Sequence, residues 1–187
     1  MKFNMGCGNR KLAGYVNVDA SSACDPDEVF DLNVTPWPWA SDCATEVRFI
    51  HSLEHMGGDP NVFLAIMQEL YRIAAPDCEV IIHVPHPRHD NFIDDPTHVR
   101  AITPPMLRLF DRELNDRVKA LEGANSPLAH YTGVDFTIIS ETTILDDPYF
   151  GQLSRGEISQ AEMVRLVRTQ NNVAREFHIG LRVRKHQ

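Results

Sequence analysis

Two glycines one residue apart, at the end of a short apolar run, constrain this chain more than any other feature. Lys2-Phe3-Asn4-Met5 reads as a β-strand, and Gly6-Cys7-Gly8 as the tight turn that ends it. Glycine lacks a Cβ, so the backbone there can take positive φ and let a ligand approach more closely than any side chain permits. A little further on, Tyr15-Val16-Asn17-Val18-Asp19 repeats the design, a second β-rich run closed by a carboxylate. Carboxylates at that place grip ribose hydroxyls in nucleotide-binding α/β folds, so the two runs point to an adenosine-containing cofactor. Taken alone, Gly6-x-Gly8 is equally well explained as a plain turn. The third glycine of the dinucleotide fingerprint is missing, with Lys11 in its place, and Asp19 follows Gly8 far sooner than the ~20 residues that fingerprint expects. A nicotinamide or flavin dinucleotide is disfavoured on that count, and the interval holds barely a turn or two of helix.

Composition narrows the partners. A chain of 187 residues with 43% hydrophobic content suits one well-buried core, a single domain spanning residues 1–187. Its net charge of −8 argues against nucleic acid, which is bound through basic faces that release counterions, and favours a small-molecule acceptor. Cys7, Cys24, Cys43 and Cys78 have neither CxxC nor zinc-type spacing and read as reduced thiols. No apolar run of membrane length and no signal peptide stands out, so no membrane is expected and the cytoplasm follows by default.

Strand-like and helix-like segments alternate, as in a parallel sheet covered on both faces. Further strands are expected at Glu28–Leu32, Glu46–Ser52, Cys78–Pro85, Val134–Ile139 and Phe177–Val183. Helices are expected over Pro60–Ala75, Thr103–Leu121 and Gly156–Ala174. The segment from Asp146 to Gln170 carries no interpretable motif; its amphipathic helix suits a cap over the site, a homodimer seam or an ordinary packed surface helix.

In that order, Gly6-Cys7-Gly8, Gly14-Tyr15-Val16-Asn17-Val18-Asp19, Asp31-Leu32, Pro36-Trp37-Pro38-Trp39, Ser52-Leu53-Glu54-His55 and the helix ending Glu69–Pro76 resemble the small class I S-adenosylmethionine-dependent methyltransferases. The resemblance runs from residue 2 to about residue 110. It implies a Rossmann-like, doubly wound, mostly parallel seven-stranded sheet with helices on both faces and an antiparallel last strand. One departure is Pro76-Asp77-Cys78, where the family usually has a Pro-Gly-Gly turn; another is the short opening helix, with no N-terminal extension to cap the cofactor.

The resemblance implies S-adenosylmethionine as cofactor, bound by Gly6, Cys7, Gly8, Asp19, Asp31, Leu32, His51 and Ser52. Asp19 would accept both ribose hydroxyls, and Asp31 with the Leu32 amide would read the adenine edge. His51, Ser52 and Leu53 emerge from the fourth strand at the topological switch point, where open α/β sheets bind ligands, and are followed by Glu54 and His55. A helix-start glutamate and a packed histidine explain them as well as catalysis does. Trp37 and Trp39 either stack near adenine or, more commonly for loop tryptophans, pack over a sheet edge.

The run His86–Arg100 is unusually rich in His, Asp and Arg, and by following the fifth strand it should overhang the donor methyl. It reads as a substrate lid: His86, His89, Arg88 and Arg100 for an acceptor, with His98, His55 and Asp95 as catalytic candidates. Asp95-Pro96-Thr97-His98 is similar to a stretch recurring there in some of these methyltransferases, which places His98 first. Hydrogen bonding among these groups merely to fix a long loop is the plainer reading. His86, His89, Asp90, Asp94 and His98 are metal-ligand types, yet their spacing matches no zinc signature, and no metal is assigned. The expected activity is methyl transfer to an oxygen or nitrogen of a small polar acceptor. A catalytically silent cofactor-binding partner, a dinucleotide oxidoreductase and a metal-dependent hydrolase built on the 86–98 loop are the alternatives.

Overall fold

The structure, a computed structural model, describes residues 1–186. Seven strands run in the order β3-β2-β1-β4-β5-β7-β6: β1 (Lys2–Met5), β2 (Val16–Asp19), β3 (Glu28–Val29), β4 (Ala44–Ile50), β5 (Ala74–Pro85), β6 (Phe136–Leu145) and β7 (Ala174–Val183). All neighbours pair parallel except β7, which is antiparallel to both β5 and β6. The Rossmann-like sheet with its antiparallel last strand is therefore present.

Side-chain alternation explains the layering, since a strand presents every second residue to one face. Val16, Phe3, Val47, Val80, Leu181 and Ile138 lie in register across six strands. They belong to or pack on the main core, against which α1 (Pro60–Ile73) buries Phe63, Ile66, Met67, Leu70 and Ile73. That helix starts cleanly because Asp59 accepts from Asn61 N at 2.7 Å and Pro60 occupies its first position, where no amide hydrogen is needed. The opposite row runs through Asn17, Asn4, Arg48, Ile81 and Gly180. Asn4 and Asn17 are buried there by loop rather than helix: Asn4 Nδ2 donates to Asn17 Oδ1 and to Arg10 O, both at 2.9 Å.

Helix is unevenly distributed. Among the described residues the connections β1–β2, β2–β3 and β3–β4 hold no α-helix, so even the short opening helix is absent. After α1 come α2 (Asp90–Ile93), α3 (Pro104–Leu107), α4 (Arg112–Ala120), α5 (Leu128–Thr132), α6 (Tyr149–Ser154) and α7 (Gln160–Thr169). The helix expected over 103–121 breaks at Asp111, whose side chain caps α4 by accepting from Leu114 N at 3.0 Å. The one expected over 156–174 is shorter, because Ser159 caps α7 through Glu162 N and β7 already begins at Ala174. Together α6 and α7 close a small second core around Met163, Leu166 and Val173. β3 ends at Val29, so Asp31 and Leu32 lie in the following loop. Asp77 takes φ +61°, the left-handed region in which aspartate is among the few non-glycine residues at home. All four cysteines are free, and no helix among the described residues is long and apolar enough to cross a membrane.

Candidate active site

The carboxyl ends of β1, β2 and β4 and the loop after β3 enclose a cleft of about 320 Å³, within the ~300–1,000 Å³ typical of small-molecule sites. Its floor is the glycine turn. Gly6 has φ +67°, and a Cβ there would stand 2.5 Å from Ser52 Cβ, so glycine is required both for conformation and for room. Gly6 N and Cys7 N both donate to Val18 O, at 2.8 and 2.9 Å, and Ser52 Oγ donates to Met5 O at 2.7 Å, which ties β1, β2 and β4 at one point. Cys7 contributes this backbone only: its side chain is buried behind the turn, where burial pushes the thiol up in pKa.

Asp19 stands across from the turn. Its Oδ2 accepts from Gly8 N at 2.8 Å and its Oδ1 from Ser21 N at 2.9 Å. A carboxylate offers about four lone-pair sites, so acceptor capacity for a ligand remains. Asp31 accepts from Asn33 N and Asn33 Nδ2, both at 2.9 Å, and Asn33 Oδ1 in turn accepts from Gly57 N at 2.9 Å. That chain of bonds fixes the wall formed by Asp31, Leu32 and Asn33. Phe30, Asn33, Met56 and Ala20 also line the cleft and escaped the sequence reading. The lining contains two carboxylates and two histidines, His51 and His55, and no lysine or arginine among the described residues.

Trp37 and Trp39 are packed rather than lining. Trp37 Nε1 donates to Leu32 O, Trp39 Nε1 to Glu28, and Arg72 holds both backbone carbonyls from α1. The two rings pack edge-on to each other, and Trp39 also lies 4.8 Å from Phe3 and 5.7 Å from Phe30, so this loop packs onto β1 and the segment after β3.

Beside the cleft, His51, Glu54, His55 and His98 converge. His51, at φ +54°, has Nδ1 3.8 Å from Glu54 Oε1 and Nε2 3.6 Å from Glu176 Oε2; burial lowers its pKa, against the pull of Glu176. Glu54 is 1% exposed, and neither carboxyl oxygen has a hydrogen-bond partner. Burial pushes it up to about 7, with Asp95 and Glu176 adding to the rise. The 95–100 loop folds back on it, since Val99 N and Arg100 N both donate to Glu54 O. His98 Nε2 lies 4.0 Å from Glu54 Oε1 and 3.8 Å from Asp95 Oδ2, and its ring lies 4.6 Å from that of His55. His98, His55 and Asp95 are thus gathered, together with Glu54, which the sequence offered equally as a helix-start residue and as a catalytic one.

Three of the four remaining lid residues are held by side-chain contacts within the fold. His89 Nδ1 accepts from Asn91 N while its Nε2 bonds Asp146 Oδ2 at 3.0 Å. His86 is buried against Phe177, with Nδ1 accepting from Arg88 N. Arg100 donates to Gly57 O and lies over the Phe63 ring. Arg88 is exposed, with no ion pair among the described residues. None of these four lines the cleft.

Solved structures share this architecture. An S-adenosylmethionine-dependent methyltransferase from Archaeoglobus fulgidus superposes with a TM-score of 0.65 at 15% identity, over 97% of this chain and 85% of its own. Another from Methanosarcina mazei gives 0.58 at 11%, over 99% and 92%. The chain has the class I methyltransferase fold. The cyclase SpnF shares this architecture, with a TM-score of 0.56 at 11% identity over 99% of this chain and 75% of its own, so the fold does not by itself set the chemistry. No protein-family model matches the chain, and no curated protein matches its sequence.

Proposed function

We propose that this protein is a methyltransferase that uses S-adenosylmethionine and modifies an oxygen or nitrogen of a small polar acceptor. The carrying observation is the cleft lining: a glycine turn, two carboxylates and no cationic side chain among the described residues. Such a lining suits a neutral adenosine joined to a positive sulfonium, and offers nothing to a pyrophosphate. In this reading Asp19 takes the ribose hydroxyls with its free acceptor sites, and Asp31 with Leu32 meets the adenine edge; the lining of the cleft by these residues supports it.

Held by Gly6, Gly8, Asp19, Asp31 and Leu32, S-adenosylmethionine would supply a sulfonium-bound methyl for in-line transfer, its S–C bond breaking as the bond to the acceptor forms. The chain's own residues align the reactants, keep water out and take up the acceptor's proton. Alignment can supply ~7–11 kcal/mol of the barrier, whereas a positioned base adds typically ~10²–10⁴-fold. Proton uptake falls to the His–Glu cluster, in which His55 also lines the cleft. Its pKa is lowered, by burial first and then by His98, so it is neutral and able to accept at pH 7.

Transfer of labelled methyl to a panel of small hydroxyl- and amine-bearing acceptors tests this. The expected result is turnover that falls ~10²–10⁴-fold in His55→Ala. Unchanged turnover in that variant would remove the proton-uptake role, and no transfer to any acceptor despite tight cofactor binding would favour the silent partner.

A further inference from the structure

The tautomers of two histidines follow from their partners. His98 Nδ1 lies 3.0 Å from Phe92 O; a carbonyl only accepts, so Nδ1 carries a proton and, in the neutral ring, Nε2 carries the lone pair. His55 Nδ1 lies 2.9 Å from Thr97 Oγ1, and Thr97 spends its only hydrogen on Asp95 Oδ1 at 2.6 Å. His55 is therefore also protonated at Nδ1, with Nε2 bare. Beside these rings lies the buried Glu54 carboxyl, neither oxygen of which has a hydrogen-bond partner. One ligand atom from each of the three residues falls within 4.8 Å of the others.

With Glu54 ionised, such a cluster presents lone pairs and no hydrogens. Neutral imidazoles with protonated Nδ1 cannot donate to Glu54 through Nε2, and a buried carboxylate without a partner is unfavourable in an apolar setting. A cation answers both. We propose that Glu54, His55 and His98 bind a divalent first-row metal ion at the wall of the cleft. Nδ1–H bonded outward to a carbonyl or a carboxylate-backed hydroxyl is the arrangement that orients ligating imidazoles in metal sites. Metal–ligand bonds of ~2.0–2.2 Å set ligand atoms about 3–3.5 Å apart, so the cluster contracts by roughly 1 Å on binding. Glu54 breaks no side-chain hydrogen bond in turning toward the ion, and Asp95 Oδ2, 3.8 Å from His98 Nε2, is within reach as a further ligand. Two imidazoles and a carboxylate favour zinc, cobalt, iron or manganese over magnesium or calcium.

The ligand set stands independently of the methyl-transfer reading. Where that reading holds, the ion adds a Lewis acid beside the cleft that lowers the pKa of an acceptor hydroxyl, so its deprotonation needs no free imidazole.

Protein stripped with a chelator is titrated with cobalt(II), followed by calorimetry and by visible absorption. One ion per chain is expected, with affinity at least tenfold weaker in Glu54→Gln and in His98→Asn, and unchanged in His130→Asn, whose ring lies on the surface against Asp116. Because Glu54 and His98 are buried, a readout on the unsubstituted chain accompanies the variants: with isotope-labelled histidine, zinc should shift the Nε2 resonances of two of the nine imidazoles. No stoichiometric binding, equal binding by Glu54→Gln and His98→Asn when both are folded, or shifts confined to other histidines would overturn the proposal.

Discussion

At Gly6, backbone conformation and packing make the same demand. Alanine there must hold φ near +67° against a penalty of about 1–2 kcal/mol, and must also displace Ser52, which is anchored to Met5 O. Gly6→Ala should therefore lower stability by more than 2 kcal/mol in urea denaturation and weaken cofactor binding at least tenfold. A milder result would mean that the turn is not pinned to β4. His98→Asn separates proton uptake from cofactor binding: turnover should fall ~10²–10⁴-fold, with affinity for S-adenosylmethionine held within a few-fold. Gly6, Gly8, Asp19, Asp31 and Ser52 were legible in the sequence because each lies at or just beyond a strand end, where the pattern itself fixes the position. Phe30, Asn33 and Met56 were not, since loop geometry alone brings them to the cleft. Glu54 shows the difference most clearly: its type and place were visible, but its isolation arises only when the 95–100 loop closes over it. His86 and His89 show the converse, for their residue types suggested chemistry, and His89's main partner, Asp146, lies 57 positions away.

The three connections without α-helix replace helical packing with side-chain networks. Glu46 on β4 receives Lys2 at 2.8 Å from β1, Arg48 at 2.7 Å and the Tyr15 hydroxyl. Burial would raise its pKa, but these bonds outweigh burial and hold it down to about 2. A folded value below the unfolded ~4.3 stabilises fully above that pH and is lost as pH falls toward 2. Glu46→Gln should lower stability at pH 7 by on the order of 1–3 kcal/mol, toward the lower end because Lys2 and Arg48 are partly solvated. It should also flatten the decline in urea midpoint between pH 5 and pH 3; an unchanged decline would contradict the assignment. Around the tryptophan loop, Arg72 donates to Trp37 O and Trp39 O while paired with Glu69. Arg72→Ala should cost about 2 kcal/mol, read by thermal unfolding. Element type was clear wherever apolar period was strong, as in α1 and β5. It failed at α4 and α7, where Asp111 and the Ser159-to-Glu162 capping box interrupt what periodicity alone reads as continuous helix. It also fell short at β6, whose mostly polar, half-exposed second half (Ser140 to Leu145) lacks the apolar pattern of a buried strand.

Over the whole molecule, the glycine turn, Asp19, the 30–33 loop and the end of β4 form one cleft, and every proposed role depends on what enters it. A ligand that binds only the folded chain stabilises it by about 2.7 kcal/mol at a hundred times its Kd. For a chain of this size that corresponds to a rise in Tm of ~5–11 °C. S-adenosylmethionine and its demethylated product should both produce that rise, and a nicotinamide dinucleotide should not. The most direct test is calorimetric titration of the metal-free protein with S-adenosylmethionine, in parallel with the Asp19→Ala variant and with the dinucleotide as competitor. Saturable one-to-one binding, at least tenfold weaker in Asp19→Ala and indifferent to the dinucleotide, is the predicted result. No binding, or displacement by the dinucleotide, would contradict it.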